Sequence, residues 1–314
     1  MLGRLEMDVD SCIKWYIHLC ELVFSNKKLS PIDIMTNIRA RFDSNRLEEA
    51  IKKVIVQHGA AEDELLKKPE NGCKVYVYPY WICVLYSCAN SFVCATSGNT
   101  ATPVLFRSYY SKRGTSSLYH QAKIWEAARA TSAAPTLFAP IRIGPTGRTF
   151  GDGATGANNP IDEMWKEAID ICDGESLVEN LACIVSIGTG VQNIKKFGNN
   201  VKEVMNSIVR IATETEETAN TFNHTHPELN KGNQRYFRFN VPRTLAEIGL
   251  DEASEAGTIE DMTDVYLRDE NTHKQIQQCA KIVAESNSGT TLCDSSLPQQ
   301  ILLNIRLPSL TNTS

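Results

Sequence analysis

The chain has 314 residues, 42% of them apolar and 22% charged, with a net charge of −5 and a pI of about 5.8. That length supports a real buried core in one large or two small domains, and the composition is ordinary for a globular protein. No Lys/Arg run or basic–aromatic stripe offers footing for nucleic acid. The ten scattered cysteines contain no C-x-x-C pair, so they supply no zinc spacing, and a reduced, cytoplasmic setting fits better than a disulfide framework. The N-terminus lacks the apolar core and small-residue cleavage site of a signal peptide.

In chain order, Asp8 is placed to cap an amphipathic helix carrying Ile13, Tyr16, Ile17, Cys20 and Val23 on one side. Ser30-Pro31 is a second helix start. Asp43 or Ser44 opens a third helix, with Leu47, Ile51, Val54 and Ile55 on one face and Gly59 as its stop. Val104–Phe106 reads as a strand, Ile124–Ala130 as a short helix, and Phe150 as the close of a strand running into Gly151-Asp152-Gly153. Asn159-Pro160 caps a helix through Ile169. The continuous apolar run Leu181–Ile187 predicts a central strand covered on both faces. A helix from about Val201 to Phe222, a strand from Tyr236 to Val241 and helix over Thr258–Glu285 complete the pattern, with a loose Ser/Thr-rich tail after Asn287. Strands alternating with helices predict a layered α/β fold.

Val75–Ala95 carries no charge over 21 residues. A membrane span needs roughly 20 apolar residues. Pro79, Ser87, Asn90 and Ser91 and the many β-branched and aromatic residues favour buried strands instead. His224 and His226 stand i,i+2 and share no helical face, so a loop is expected there rather than a metal site. Glu126 and Arg129, i,i+3, suit a local ion pair, with Arg129 supporting a site wall as the alternative. The acidic run Glu214–Glu217 reads as a solvated helix face.

Two strings carry chemistry: IWEAARATSAAPTLFAP from Ile124 and RTFGDGATGANNP from Arg148. Together with Ser186-Ile-Gly-Thr-Gly190 and Tyr236-Phe-Arg-Phe-Asn-Val241, in this order, they make the sequence resemble the patatin-like phospholipase family over about residues 1–270. The fungal members, often fused to NTP-binding and repeat domains, are the most similar in this respect. Residues 271–314 are then a C-terminal helix and a polar tail. The resemblance implies a three-layer fold, with a central, mostly parallel sheet flanked by helices. It also implies acyl-ester hydrolysis of membrane glycerolipids without metal or cofactor, by a Ser–Asp dyad. Asp152, in Asp152-Gly153-Ala154, matches the family's proton acceptor. Peripheral contact with membranes and fused domains in the full-length protein are further implications.

Two departures matter. The chain contains no G-x-S-x-G, the sharp strand-to-helix turn on which such enzymes expose the serine. The nearest string, Gly114-Thr-Ser-Ser-Leu118, lacks the last glycine and reads as a surface loop; Thr131, Ser132 and Ser186 are not the family's nucleophile. The first strands, the nucleophile elbow and the glycine-rich oxyanion segment are expected to be missing. The sixteen residues Tyr76–Ser91 interrupt a family segment whose ends match at Cys73–Val75 and Phe92–Ser97. A translated intron and a genuine apolar insertion touching lipid both account for them. Three readings follow: an acyl hydrolase known here in part and inactive as written, a non-catalytic relic or interaction module, and a membrane-anchored protein. Absent strands would leave an unpaired sheet edge and exposed apolar surface. The chain alone is therefore predicted to be poorly soluble or unstable; a soluble monomer melting cooperatively in a calorimeter would contradict this.

Overall fold

The computed structural model describes residues 1–25, 40–68, 90–113, 116–135, 137–153, 157–172, 177–190, 215–242 and 255–288. The helix start at Ser30-Pro31, the apolar stretch up to residue 89 and the tail from residue 289 lie outside these. The chain is mixed α/β.

Helix α1 (Val9–Phe24) begins where Asp8 accepts hydrogen bonds from the Ser11 amide at 2.8 Å and its hydroxyl at 2.7 Å. Asp43 does the same for α2 (Ser44–Gln57), taking the Asn45 amide at 2.9 Å, and Gly59 ends the turn beyond it at φ +79°. Strands β1 (Phe92–Ser97) and β2 (Pro103–Arg107) form a hairpin. The last residues of the uncharged stretch are therefore sheet, and among the described residues no helix is long and apolar enough to cross a membrane. Helix α3 (Ser116–Gln121) follows and buries Leu118, so Ser116–Leu118 is helix where a surface loop was expected. A buried leucine on the first turn is worth more against the core than in solvent.

Helix α4 (Ile124–Thr131) starts where the Glu126 carboxylate accepts the Lys123 amide at 2.9 Å. A second hairpin, β3 (Ile141–Ile143) and β4 (Arg148–Asp152), lays β4 against β1. The resulting sheet has the order β2-β1-β4-β3 and is antiparallel throughout. This differs from the mostly parallel sheet implied by the resemblance. Both hairpins are joined by turns of a few residues, whereas a parallel pair needs a crossover of a dozen or more. Ala95, Phe106 and Phe150 share one core with α4, which packs in turn on α2, and the Phe106 and Phe150 rings meet edge to face at 5.0 Å.

Helix α5 (Ile161–Ile171), the short α6 (Leu177–Asn180) and the helical residues 215–225, here α7, enclose a second core around Trp165, Phe222, Leu229 and Tyr236. It covers β5 (Ile184–Ile187) and β6 (Tyr236–Phe239), which pair in parallel. β5 is shorter than the apolar run suggested, and Ile187 is 63% exposed, so that strand is not covered along its whole length. The C-terminal helices α8 (Ala256–Arg268) and α9 (Glu270–Ser288) are separated at Asp269, whose carboxylate accepts the Thr272 amide at 3.0 Å and restarts the helix.

An ion pair between buried Glu167 and half-buried Arg107 ties α5 to the sheet. Arg107 on β2 grips Glu167 through Nε at 2.5 Å and Nη2 at 2.7 Å, and the Tyr109 hydroxyl donates to the same carboxylate at 2.7 Å. Burial alone would raise the Glu167 carboxyl. The hydrogen bonds from Arg107 and Tyr109, with the Arg107 charge, more than offset that and hold it below the ordinary range. A carboxyl held low in the folded state stabilises fully above its unfolded pKa of about 4.3, and that stabilisation fades as pH falls through the folded value. Glu167→Gln is expected to cost roughly 3–5 kcal/mol near neutral pH by stranding Arg107. Denaturant titrations should show the gap from the native chain narrowing below about pH 4.

Candidate active site

Asp152 ends β4, half-buried, opposite Ala95 on β1. Its backbone is held from three directions. The ladder pairs it with Ala95, its amide donates to the Ala133 carbonyl at 3.2 Å, and its carbonyl accepts the Thr96 hydroxyl at 2.8 Å. These contacts bring Phe92–Ser97, Ala130–Pro135 and Gly151–Gly153 to one place, although they lie far apart in the chain.

The two glycines flanking Asp152 are not equivalent. A Cβ on Gly153 would collide with the Cys94 carbonyl, while one on Gly151 would meet nothing within 4 Å. Only Gly153 is demanded by close approach of two backbones. The neighbouring Cys94 thiol does not substitute for a missing nucleophile. Burial, with the nearby Glu163 charge, pushes it up to about 12, so it stays protonated.

Arg129 lies on α4, the helix that packs against β1 and β4. Its guanidinium is buried, donates to the Ala139 carbonyl and stands over the Phe138 ring at 5.7 Å. Burial lowers its pKa, against the pull of Glu48. The Glu126 carboxylate is occupied at the helix start, and Arg129 bonds the Ala139 carbonyl rather than Glu126. Ser132 is exposed at the end of α4.

A second polar cluster lies where β5 and β6 end together. Arg238 donates from Nη1 to the Ser186 hydroxyl at 3.0 Å and from Nη2 to Glu216 at 2.6 Å. Asn240 donates to the same Glu216 oxygen at 2.8 Å and accepts the Gly190 amide at 2.8 Å. Ser186 reaches Asn159 at 3.5 Å. Glu217 is exposed as expected for a solvated helix face, while the half-exposed Glu216 is paired, and Arg238 and Asn240 were not foreseen. The available signal was a lone arginine inside an apolar strand, a charge that burial forces to find partners. His224 lies in α7 rather than a loop. His226 packs against Trp165 and Phe222 and bonds Glu228 at 2.9 Å.

With this geometry in place, comparison with known proteins is decisive. The model of the family described as patatin-like phospholipase matches residues 5–165, more than half of the 314. The chain belongs to the patatin-like phospholipase family. It is similar to calcium-independent phospholipase A2-gamma of Mus musculus, 28% identical over 296 residues, covering 92% of this chain and 34% of that protein. The Rattus norvegicus protein of the same name is 30% identical over 261 residues, covering 81% and 30%, and the Homo sapiens one 27% over 298 residues, covering 92% and 34%. The chain spans about a third of the length of these relatives. The Asp152 turn, the F-V-C-A-T-S strand and the A-T-S-A-A-P helix end all fall inside the family match.

Gly153→Ala is expected to destabilise by about 1–3 kcal/mol, because backbone rather than a flexible side chain must move aside. Gly151→Ala should be nearly neutral. Thermal melts of the two variants side by side check this, and equal losses would refute it.

Proposed function

We propose that this chain carries the proton-acceptor half of a lipid acyl hydrolase site, with Asp152 as the base of a Ser–Asp dyad. The observation that supports it most is the Asp-Gly turn ending β4, clamped by two other family segments within the matched region. The chemistry is cleavage of an acyl ester of a membrane glycerolipid. A serine attacks the ester carbonyl carbon as Asp152 takes its proton; the acyl C–O bond breaks, Asp152 returns the proton to the departing lysolipid alcohol, and water then cleaves the acyl-enzyme to fatty acid and free serine. The relatives' name adds phospholipid as the substrate class and calcium-independence. No metal enters this scheme, so chelators leave the full-length protein's activity unchanged. The domain extends in this reading through β6 to about residue 270. A cytoplasmic protein meeting membranes peripherally fits the same chemistry.

Since the sequence contains no G-x-S-x-G, the chain by itself is inactive in this account. A non-catalytic relic that keeps the scaffold for binding is the second reading, favoured by that same feature. Sequencing the spliced transcript across the start codon and the Tyr76–Ser91 codons separates the two. An upstream G-x-S-x-G favours the enzyme; its absence favours the relic.

The 314-residue chain should show no acyl-ester turnover and no labelling by a serine-reactive fluorophosphonate. In a version extended upstream through a G-x-S-x-G, Asp152→Asn should cut turnover by about 10⁴-fold or more, as removing a triad partner does elsewhere. Full activity of that variant would remove Asp152 from the chemistry.

A further inference from the structure

We infer that Arg238 is a positioning residue for the Asp152 turn, acting through Glu216 and the Asn158-Asn159 segment; this rests on the reading of Asp152 as the proton acceptor. The case begins with topology. β5 and β6 are parallel and in register, Ser186 beside Arg238, so their carboxyl ends open on the same side. In parallel sheets this is where functional groups collect.

The Asp152 turn is connected to that edge by a continuous path. Gly153 offers its carbonyl to the Ala157 amide at 2.9 Å, which fixes where the chain re-emerges after the turn. Asn158 then donates to the Thr215 hydroxyl at 2.6 Å, and Asn159 to the Thr215 carbonyl at 3.2 Å while facing Ser186. Thr215 precedes Glu216, the carboxylate that Arg238 and Asn240 share. One guanidinium therefore fastens β5 through Ser186 and α7 through Glu216, and both fasten Asn159. Bonds to charged groups are the stronger class, and buried ones tolerate little displacement. Gly188 belongs to the same arrangement, since a Cβ there would strike the Asn240 side chain and crowd the Arg238 guanidinium.

A merely structural arginine lies three residues away for comparison. Arg235, just before β6, bonds the Val178, Leu181 and Glu228 carbonyls, and among the described residues no bond joins it to the Asn159 cluster. Both arginines hold the second core together, but only Arg238 lies on the path to Asp152.

The test uses the isotope-labelled protein extended upstream through a G-x-S-x-G, with NMR reading two amides and one carboxyl: Ala157, Asp152 and the Asp152 side-chain carbon. Arg238→Gln should speed hydrogen exchange at Ala157 by about tenfold or more and move the Asp152 carboxyl resonance. Arg238→Lys should restore part of the protection. Glu216→Gln, a milder change that keeps the shape, should act in the same direction if Arg238→Gln does not fold. Arg235→Gln should lower the melting temperature while leaving the Asp152 and Ala157 signals in place. Unchanged signals in the Arg238 and Glu216 variants, or equal changes in Arg235→Gln, would overturn the inference. None of these signals depends on turnover. An Asp152→Asn variant of the extended protein that stays active would defeat the dyad reading and leave the exchange result intact.

Discussion

Two backbones pass so closely at the end of β4 that no side chain fits between them. Gly153 runs against the Cys94 carbonyl, and the rest of the candidate site follows from that contact. It sets β4 into β1, puts Asp152 opposite Ala95, and leaves the Asp152 amide free to find Ala133 and its carbonyl to find Thr96. A protein interior transmits such constraints because it is packed to the density of a solid. The carboxylate is consequently carried by the end of a strand in a hydrogen-bonded sheet, a mounting that holds geometry better than a loop does.

Two half-buried arginines extend this arrangement outward, one to each side. Arg107 fastens α5 to the sheet through Glu167 and Tyr109, and Arg238 fastens the β5–β6 pair to α7 through Glu216. Burying a charge pair gains little over a well-packed apolar alternative, because desolvation consumes most of the attraction. Such pairs contribute geometry instead: a guanidinium with several donors in a fixed plane accepts few arrangements of its partners. Each arginine joins a strand to a helix distant in sequence, a connection that apolar contact alone leaves loosely determined.

Ester hydrolysis by a serine needs three things in one place: a nucleophile, a proton acceptor and donors for the oxyanion. Family membership and the geometry at Asp152 bear on the second of these, and this sequence holds no G-x-S-x-G for the first. The thiol nearest the turn offers no replacement, since burial keeps it protonated. On the proposed reading, the chain is an acid–base platform whose nucleophile must come from elsewhere in a longer protein, or a platform that has given up chemistry and kept its shape.

Much of the local structure was legible in the residues. Asp8 and Asp43 are helix caps, Gly59 is a stop, and Asp152 sits at a strand end in a glycine turn, because short side chains and glycine act on their own backbone within a few residues. The family motifs were legible for the same reason: each is a contiguous string. What the sequence could not determine depends on partners distant along the chain. The hairpins that make the four-stranded sheet antiparallel, the exposure of Ile187, and the capture of Glu216 by Arg238 arise only when strands and helices choose neighbours. Glu216 looked like solvent-facing charge because three of its neighbours in the acidic run were polar. Tertiary structure gave it a partner: the half-buried guanidinium on β6 meets a carboxylate that α7 places at 2.6 Å.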